Sequence, residues 1–198
     1  MDSSALKSWI AYDADTQFPL ENMPFGIFMN PKKQKPCGCT RIGDTIVDLD
    51  ALEHERLFDG PLFSVTKDHY FCQPTLNDFA AAGKAYRVEL RETLQRIFGE
   101  KGSLPDALKA DALFPAKDVQ MQMPMFIRDY TDFYSSYNHA YNVGVMVRGP
   151  DNAIQPNWKH LPVGYHGRAS SIVVDGTPII RPRGQVSADK VNPTWSKC

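Results

Sequence analysis

The chain has 198 residues, 42% apolar and 23% charged, a globular balance that excludes wholesale disorder. Lys and Arg number 22 against 23 Asp and Glu, a net charge of −1, so no basic excess is present to neutralise a nucleic-acid backbone. No apolar run approaches the roughly 20 residues of a membrane span, and the first twenty residues lack the basic and apolar regions of a signal peptide.

The first third reads as short strands. Phe25–Phe28 is a brief apolar run after Pro24. Thr40-Arg41-Ile42 and Thr45–Leu49 flank Gly43-Asp44, a hairpin whose leading glycine suits a type II′ turn. Lys32-Lys33-Gln34-Lys35 is expected as a solvated loop. One long helix follows. Leu76, Phe79, Gly83, Tyr86, Leu90, Leu94 and Ile97 recur at spacings of three and four, giving one face to bury. Thr75 with Asp78 forms a capping-box pattern at its start, and Gly99 stands at the C-terminal cap. Lys101–Gln120 reads as a short helix plus a linker, and a domain boundary is placed near residue 124. Beyond it, a short helix over Ser136–Asn142 is expected, capped by Asp132 or Ser135. Ser171–Val174, Asp175–Pro178 and Ile179-Ile180 read as strand, turn, strand.

The cysteines Cys37, Cys39, Cys72 and Cys198, with no secretory signal, are expected as reduced thiols of a cytoplasmic protein. The Cys37-x-Cys39 spacing lacks a matching second pair, so a structural zinc site is disfavoured.

The densest chemical cluster is Arg128–Ala140. Asp132 is a hard oxygen donor for Ca²⁺ or Mg²⁺; it serves equally as a helix cap. His139 can be a general base near neutral pH; it serves equally as a structural imidazole. A second cluster runs from Asn157 to Ser171, where glycines flank Tyr165-His166 and lead to Arg168. That is either a tight backbone path beside a ligand or a β-bulge with Tyr165 packed as an aromatic. Arg148, before Gly149-Pro150, can hold a substrate carboxylate bidentately or make a surface ion pair. The phosphate-loop, dinucleotide-loop, zinc-protease and serine-hydrolase motifs are missing.

Asp129–Ser136 followed by His139-Ala140 and Asn142–Gly144 resembles the fumarylacetoacetase (fumarylacetoacetate hydrolase) family. Pro156-Asn157-Trp158, His160–Val174, Gly176–Ile179, Gly184-Gln185 and the earlier Phe18–Phe28 continue the similarity, which spans nearly the whole chain. The resemblance implies a mainly β fold with some α. An SH3-like N-terminal barrel with one amphipathic helix (1–124) would precede the opening part of a β-rich roll (125–198). It implies hydrolysis of fumarylacetoacetate to fumarate and acetoacetate, the last step of tyrosine and phenylalanine breakdown, by a cytoplasmic homodimer. On that pattern Asp132 binds Ca²⁺ or Mg²⁺, His139 activates water, and Tyr134, Arg148 and Tyr165 contact the substrate. The family's further metal carboxylates, a Glu-x-Glu pair and an Asp, lie later than this stretch. The acid that orients the catalytic His does too, as do the Lys and Arg that stabilise the departing charge. The chain is therefore expected to be a front half, inactive alone. Two alternatives stand beside this reading: another chemistry on the same scaffold, and a catalytically dead binding module.

Overall fold

In the computed structural model, which describes residues 6–197, the alternation of residues 25–48 becomes an antiparallel meander. Its strands are β1 (Phe25–Asn30), β2 (Lys35–Ile42) and β3 (Thr45–Asp48). Ile42 faces Thr45 across the Gly43-Asp44 turn. Gly43 has φ +54° and Asp44 does not share the positive sign, the φ pattern of the expected II′ turn. Alternation sends Phe28, Cys37, Cys39 and Ile46 to one face of the sheet and Ile27, Ile42 and Val47 to the other. Asp48 ends β3 and caps helix α1 (Leu49–His54) by accepting from the Ala51 amide at 3.1 Å.

The basic loop is the β1–β2 connection, but it is not simply solvated. Lys33 turns inward, its Nζ 2.8 Å from both Asp48 Oδ2 and Asp50 Oδ2. Asn30 also donates to Asp48 Oδ2, at 2.7 Å.

Residues 55–76 hold neither helix nor strand, yet they deliver Phe58, Phe63, Tyr70 and Phe71 to the core. Two carboxylates pin this segment. Glu53 accepts from the amides of Tyr70 and Phe71, and Glu89 from those of Leu62 and Phe63. Buried amides left without such acceptors would each cost about 1–3 kcal/mol.

The single long helix expected after Thr75 is two. Helix α2 (Asn77–Ala81) ends before Gly83, which sits at φ +96° and ψ −178°, and α3 (Lys84–Phe98) begins afresh. Thr75 makes no cap; Leu76 holds that position without a side-chain bond. Leu90, Leu94 and Phe98 are fully buried, each contributing roughly 2 kcal/mol of apolar burial. Gly99 closes the helix as expected in position, though in an extended rather than left-handed conformation.

The supposed linker after it carries structure. Helix α4 (Asp106–Ala112) leads into β4 (Leu113–Pro115), which pairs with β3, and β5 (Gln120–Gln122) pairs with β1. The sheet order is β4-β3-β2-β1-β5. Among the described residues no ladder joins β4 to β5, so the sheet stays open where an SH3-like barrel would close. With five α-helices beside the strands among the described residues, the fold is mixed α and β rather than mainly β.

Residues 125–197 carry two small two-stranded antiparallel ladders and an α-helix: β6 (Thr131–Phe133) with β7 (Gly164–His166), α5 (Tyr137–Arg148) in the connection between them, and β8 (Arg183–Val186) with β9 (Thr194–Lys197). The cap of α5 is Ser136, not Asp132 or Ser135, and the helix runs six residues past Asn142. The turn at Asp175-Gly176 forms, but its flanks find no ladder partner, and Ile179 and Ile180 are 81% and 87% exposed. Strand-like sequence without a neighbour to complete its hydrogen bonds does not make a strand.

Candidate functional site

The β6–β7 ladder fixes the first pair. Asp132 and Tyr165 are register partners, and the Tyr165 hydroxyl donates to Asp132 Oδ2 at 2.6 Å. That bond, and the carboxylate charge behind it, push the Tyr165 phenol above its ordinary value. Glycines make the approach possible. A Cβ on Gly167 would sit 2.8 Å from the Tyr130 ring and 3.0 Å from Asp132 Cβ.

The chain then leaves β6 through Tyr134 and turns into α5. The Ser136 Oγ accepts from the His139 amide at 3.4 Å, which places His139 at the third helical position. The rings of Tyr134 and His139 meet edge to face, centroids 5.6 Å apart. Tyr134 itself is held at three points. Its amide donates to Val163 O at 2.8 Å, its carbonyl accepts from the Trp158 indole at 2.7 Å, and its hydroxyl donates to Ala140 O at 3.2 Å. Asp132 and Tyr134 are half-buried; His139 and Tyr165 are exposed.

Arg148 lies differently. It ends α5, and its guanidinium donates to two backbone carbonyls, Asn152 O at 3.1 Å and Ala153 O at 2.7 Å. Among the described residues, neither a carboxylate partner nor a surface ion pair engages it. It shares with Tyr134 and Trp158 a cavity of about 200 Å³, lined also by Ile154, Gln155 and Val163. So the structure brings Asp132 to Tyr165 and Tyr134 to His139, and it puts Arg148 on a common cavity with Tyr134. Trp158 had no assigned role in the sequence. Its place in the long 156–174 motif was the available signal.

A family model described as fumarylacetoacetase N-terminal matches residues 21–124. The chain belongs to the fumarylacetoacetase family. It is 44% identical to the fumarylacetoacetase of Aspergillus fumigatus over 98% of its own length and 47% of that protein's. It is 47% identical to the fumarylacetoacetase of Arabidopsis thaliana, covering 91% of this chain and 43% of the relative. With the human fumarylacetoacetase the figures are 46% identity, 94% and 44%. The chain thus spans somewhat under half the length of these family members. None of the helices among the described residues is long and apolar enough to cross a membrane.

A metal in this family half needs a donor set. Among the described residues, the one group of three that comes together is Cys37, Asp48 and Asp50, far along the chain from Asp132. Lys33 already sits on both carboxylates, with Lys35 Nζ 3.3 Å from Asp50. Burial pushes the thiols of Cys37 and Cys39 up to about 12, the wrong direction for thiolate ligands. This group is an internal ion-pair network rather than a cation site. Cys37, Cys39 and Cys72 are free thiols, as expected; Cys198 lies outside the described residues.

Proposed function

We propose that this chain supplies the first half of a hydrolase that splits fumarylacetoacetate into fumarate and acetoacetate, with His139 as the base. One observation carries the reading: a single corner between β6 and α5 holds Asp132 against Tyr165 and Tyr134 against His139. Family membership and the relatives' shared name support the substrate.

The chemistry suits these groups. Water is a weak nucleophile, and an exposed imidazole beside it can take its proton as the attack begins. Tyr134 and Tyr165 present phenols that can hold carbonyl or carboxylate oxygens of the substrate. Arg148, on its cavity with Tyr134, would have to release Ala153 O to grip a carboxylate. Asp132 fits one position around Ca²⁺ or Mg²⁺, and Tyr165 occupies only one of its oxygens. The remaining five or more oxygens such ions take are not assembled by residues 6–197. When bound, the cation would polarise the dicarbonyl and stabilise the departing enolate.

A division near residue 124 belongs to the same proposal. It is supported by the core, which lies almost wholly before it; among the described residues beyond it, only Ala140, Gly144 and Ala153 are buried. A cytoplasmic homodimer is the assembly proposed for the longer protein. Residues 1–198 alone are proposed to hydrolyse little or nothing.

The test is a chimaera in which residues 1–198 replace the matching half of the human relative, assayed by loss of the diketone absorbance. Turnover is expected, with His139→Gln reducing it at least a hundredfold, and the isolated chain giving less than a tenth. Undiminished cleavage by the His139→Gln chimaera would overturn the assignment of the base.

A further inference from the structure

We propose that Trp158 is a positioning residue for His139, acting through Tyr134; the inference rests on reading His139 as the base. The 3-10 turn Pro156–Lys159 presents the indole. Its N–H donates to Tyr134 O at 2.7 Å across 24 residues of chain. Tyr134 is the first of the two residues between β6, which carries Asp132, and the Ser136 cap of α5, the helix that carries His139.

The geometry makes this bond more than a packing contact. Tyr134 follows the last residue of β6, and the Val163 amide opposite it donates to Leu161 O at 2.9 Å instead, so the ladder leaves the Tyr134 carbonyl to the indole. With Val163 O holding the amide and Ala140 O the hydroxyl, the indole supplies the third fixed point. Three attachments define the orientation of a phenol ring, and the His139 imidazole rests edge to face on that ring. The Trp158 ring also meets Tyr137 at 5.8 Å, tilted 70°, on the first turn of α5. One side chain therefore touches both sides of the corner: the strand end before it and the helix start after it. An exposed imidazole has little else to hold it. Among the described residues its ring makes no hydrogen bond, while the Tyr134 ring meets it edge to face.

Trp158→Phe keeps a ring against Tyr137 and deletes the one N–H. The readout is the His139 ring signals in proton NMR of the 198-residue chain, assigned by their loss in His139→Gln. Stacked edge-on to Tyr134, those signals are displaced by its ring current. Expected in Trp158→Phe is a shift of the His139 ring signals toward the position of an imidazole with no aromatic neighbour, with the N-terminal half's amide signals unchanged. Unchanged His139 ring signals would overturn the proposal. Should Trp158→Phe unfold residues 131–166, benzothienylalanine at 158, which replaces the N–H by sulfur at constant shape, repeats the test. Unfolding in both would also overturn it, since the indole would then hold the fold and not the imidazole. The NMR result stands without turnover, so loss of the hydrolase reading and loss of the positioning role are separate outcomes.

Discussion

Asp132 and Tyr165 sit opposite each other in the β6–β7 ladder and share a 2.6 Å hydrogen bond from phenol to carboxylate. The bond disfavours the phenolate twice: the donated proton would be lost, and a second negative charge would form beside the first. Tyr165 should therefore ionise later than the ordinary phenol near pH 10. Asp132→Asn removes the charge and should bring the Tyr165 titration down. Its phenolate signal, taken as wild type minus Tyr165→Phe, measures this. An identical titration in Asp132→Asn would mean the pair is not formed in solution.

Gly144 lies inside α5, where helix propensity alone favours Ala by about 1 kcal/mol. Packing argues the other way. A Cβ there would fall 1.9 Å from Ala153 O, a backbone atom that cannot swing aside. Ala153 O is also the carbonyl that takes the Arg148 guanidinium at 2.7 Å. Overpacking of this kind costs about 1–3 kcal/mol, so it exceeds the propensity gain. Gly144→Ala should speed proteolysis within 131–166 and leave the N-terminal half protected. Slower cleavage would show that α5 and Ala153 are not in contact.

Lys33, Asp48 and Asp50 form a network whose carboxylates are buried. Removing the cation takes away the ion pair of Asp48 and leaves Asp50 to Lys35, and breaking such a pair costs about 3–5 kcal/mol when fully buried. Lys33 keeps 30% of its side chain in solvent, which puts Lys33→Met nearer 3 kcal/mol. The pH dependence follows in sign. Burial works to raise the Asp50 carboxyl, but the hydrogen bond and charge of Lys33, then Lys35, hold it below its usual value. Its stabilisation is therefore present above the unfolded carboxylate pKa near 3.9 and is lost as pH falls through the lower folded value. For Lys33, burial opposes the charge but the two carboxylates win and raise it. That contribution is complete below pH ~10 and disappears as pH climbs through the folded value. The melting-temperature gap between wild type and Asp50→Asn should be flat from about pH 5 to 9 and shrink below pH 4. A gap that widens in acid would reverse the assignment.

Local signals were legible in the sequence and non-local ones were not. The β2–β3 hairpin needs only its own alternation and Gly43, and it forms in the expected register. Strands β4 and β5 are three residues each, one ending in Pro115, and exist because β3 and β1 offer edges far back in the chain. The opposite error occurred at Ile179-Ile180, where strand-like residues have no edge to join. In the site, Asp132 and His139 stand out by residue type, and Tyr134 enters only with the resemblance; the strand Thr131–Phe133 and the Ser136 cap that join them were not expected. The indole on Tyr134 O comes from 24 residues away, and no local pattern announces it. Arg148 shows the same limit: its type suits a carboxylate, but the carbonyls of Asn152 and Ala153 that hold its guanidinium come from the turn after α5, which residue type alone does not announce.

Gly83 gives the sharpest contest between the two kinds of signal. The spacing from Leu76 to Ile97 puts it on the buried face of one continuous helix, where Ala would be better by about 1 kcal/mol. In the structure it is the break between α2 and α3, at φ +96° and ψ −178°. A Cβ there meets nothing within 4 Å, so sterics with neighbours are not the obstacle. The obstacle is the backbone itself, since that region is essentially closed to residues with a side chain and costs about 1–3 kcal/mol to enter. Gly83→Ala should therefore lower the stability of the N-terminal half by that amount. d-Ala at the same position, whose mirror-image preference accepts positive φ, should be neutral or better. Chemical denaturation of the two variants separates the cases. A stabilised l-Ala variant would mean that residues 77–98 form a single unbroken helix after all.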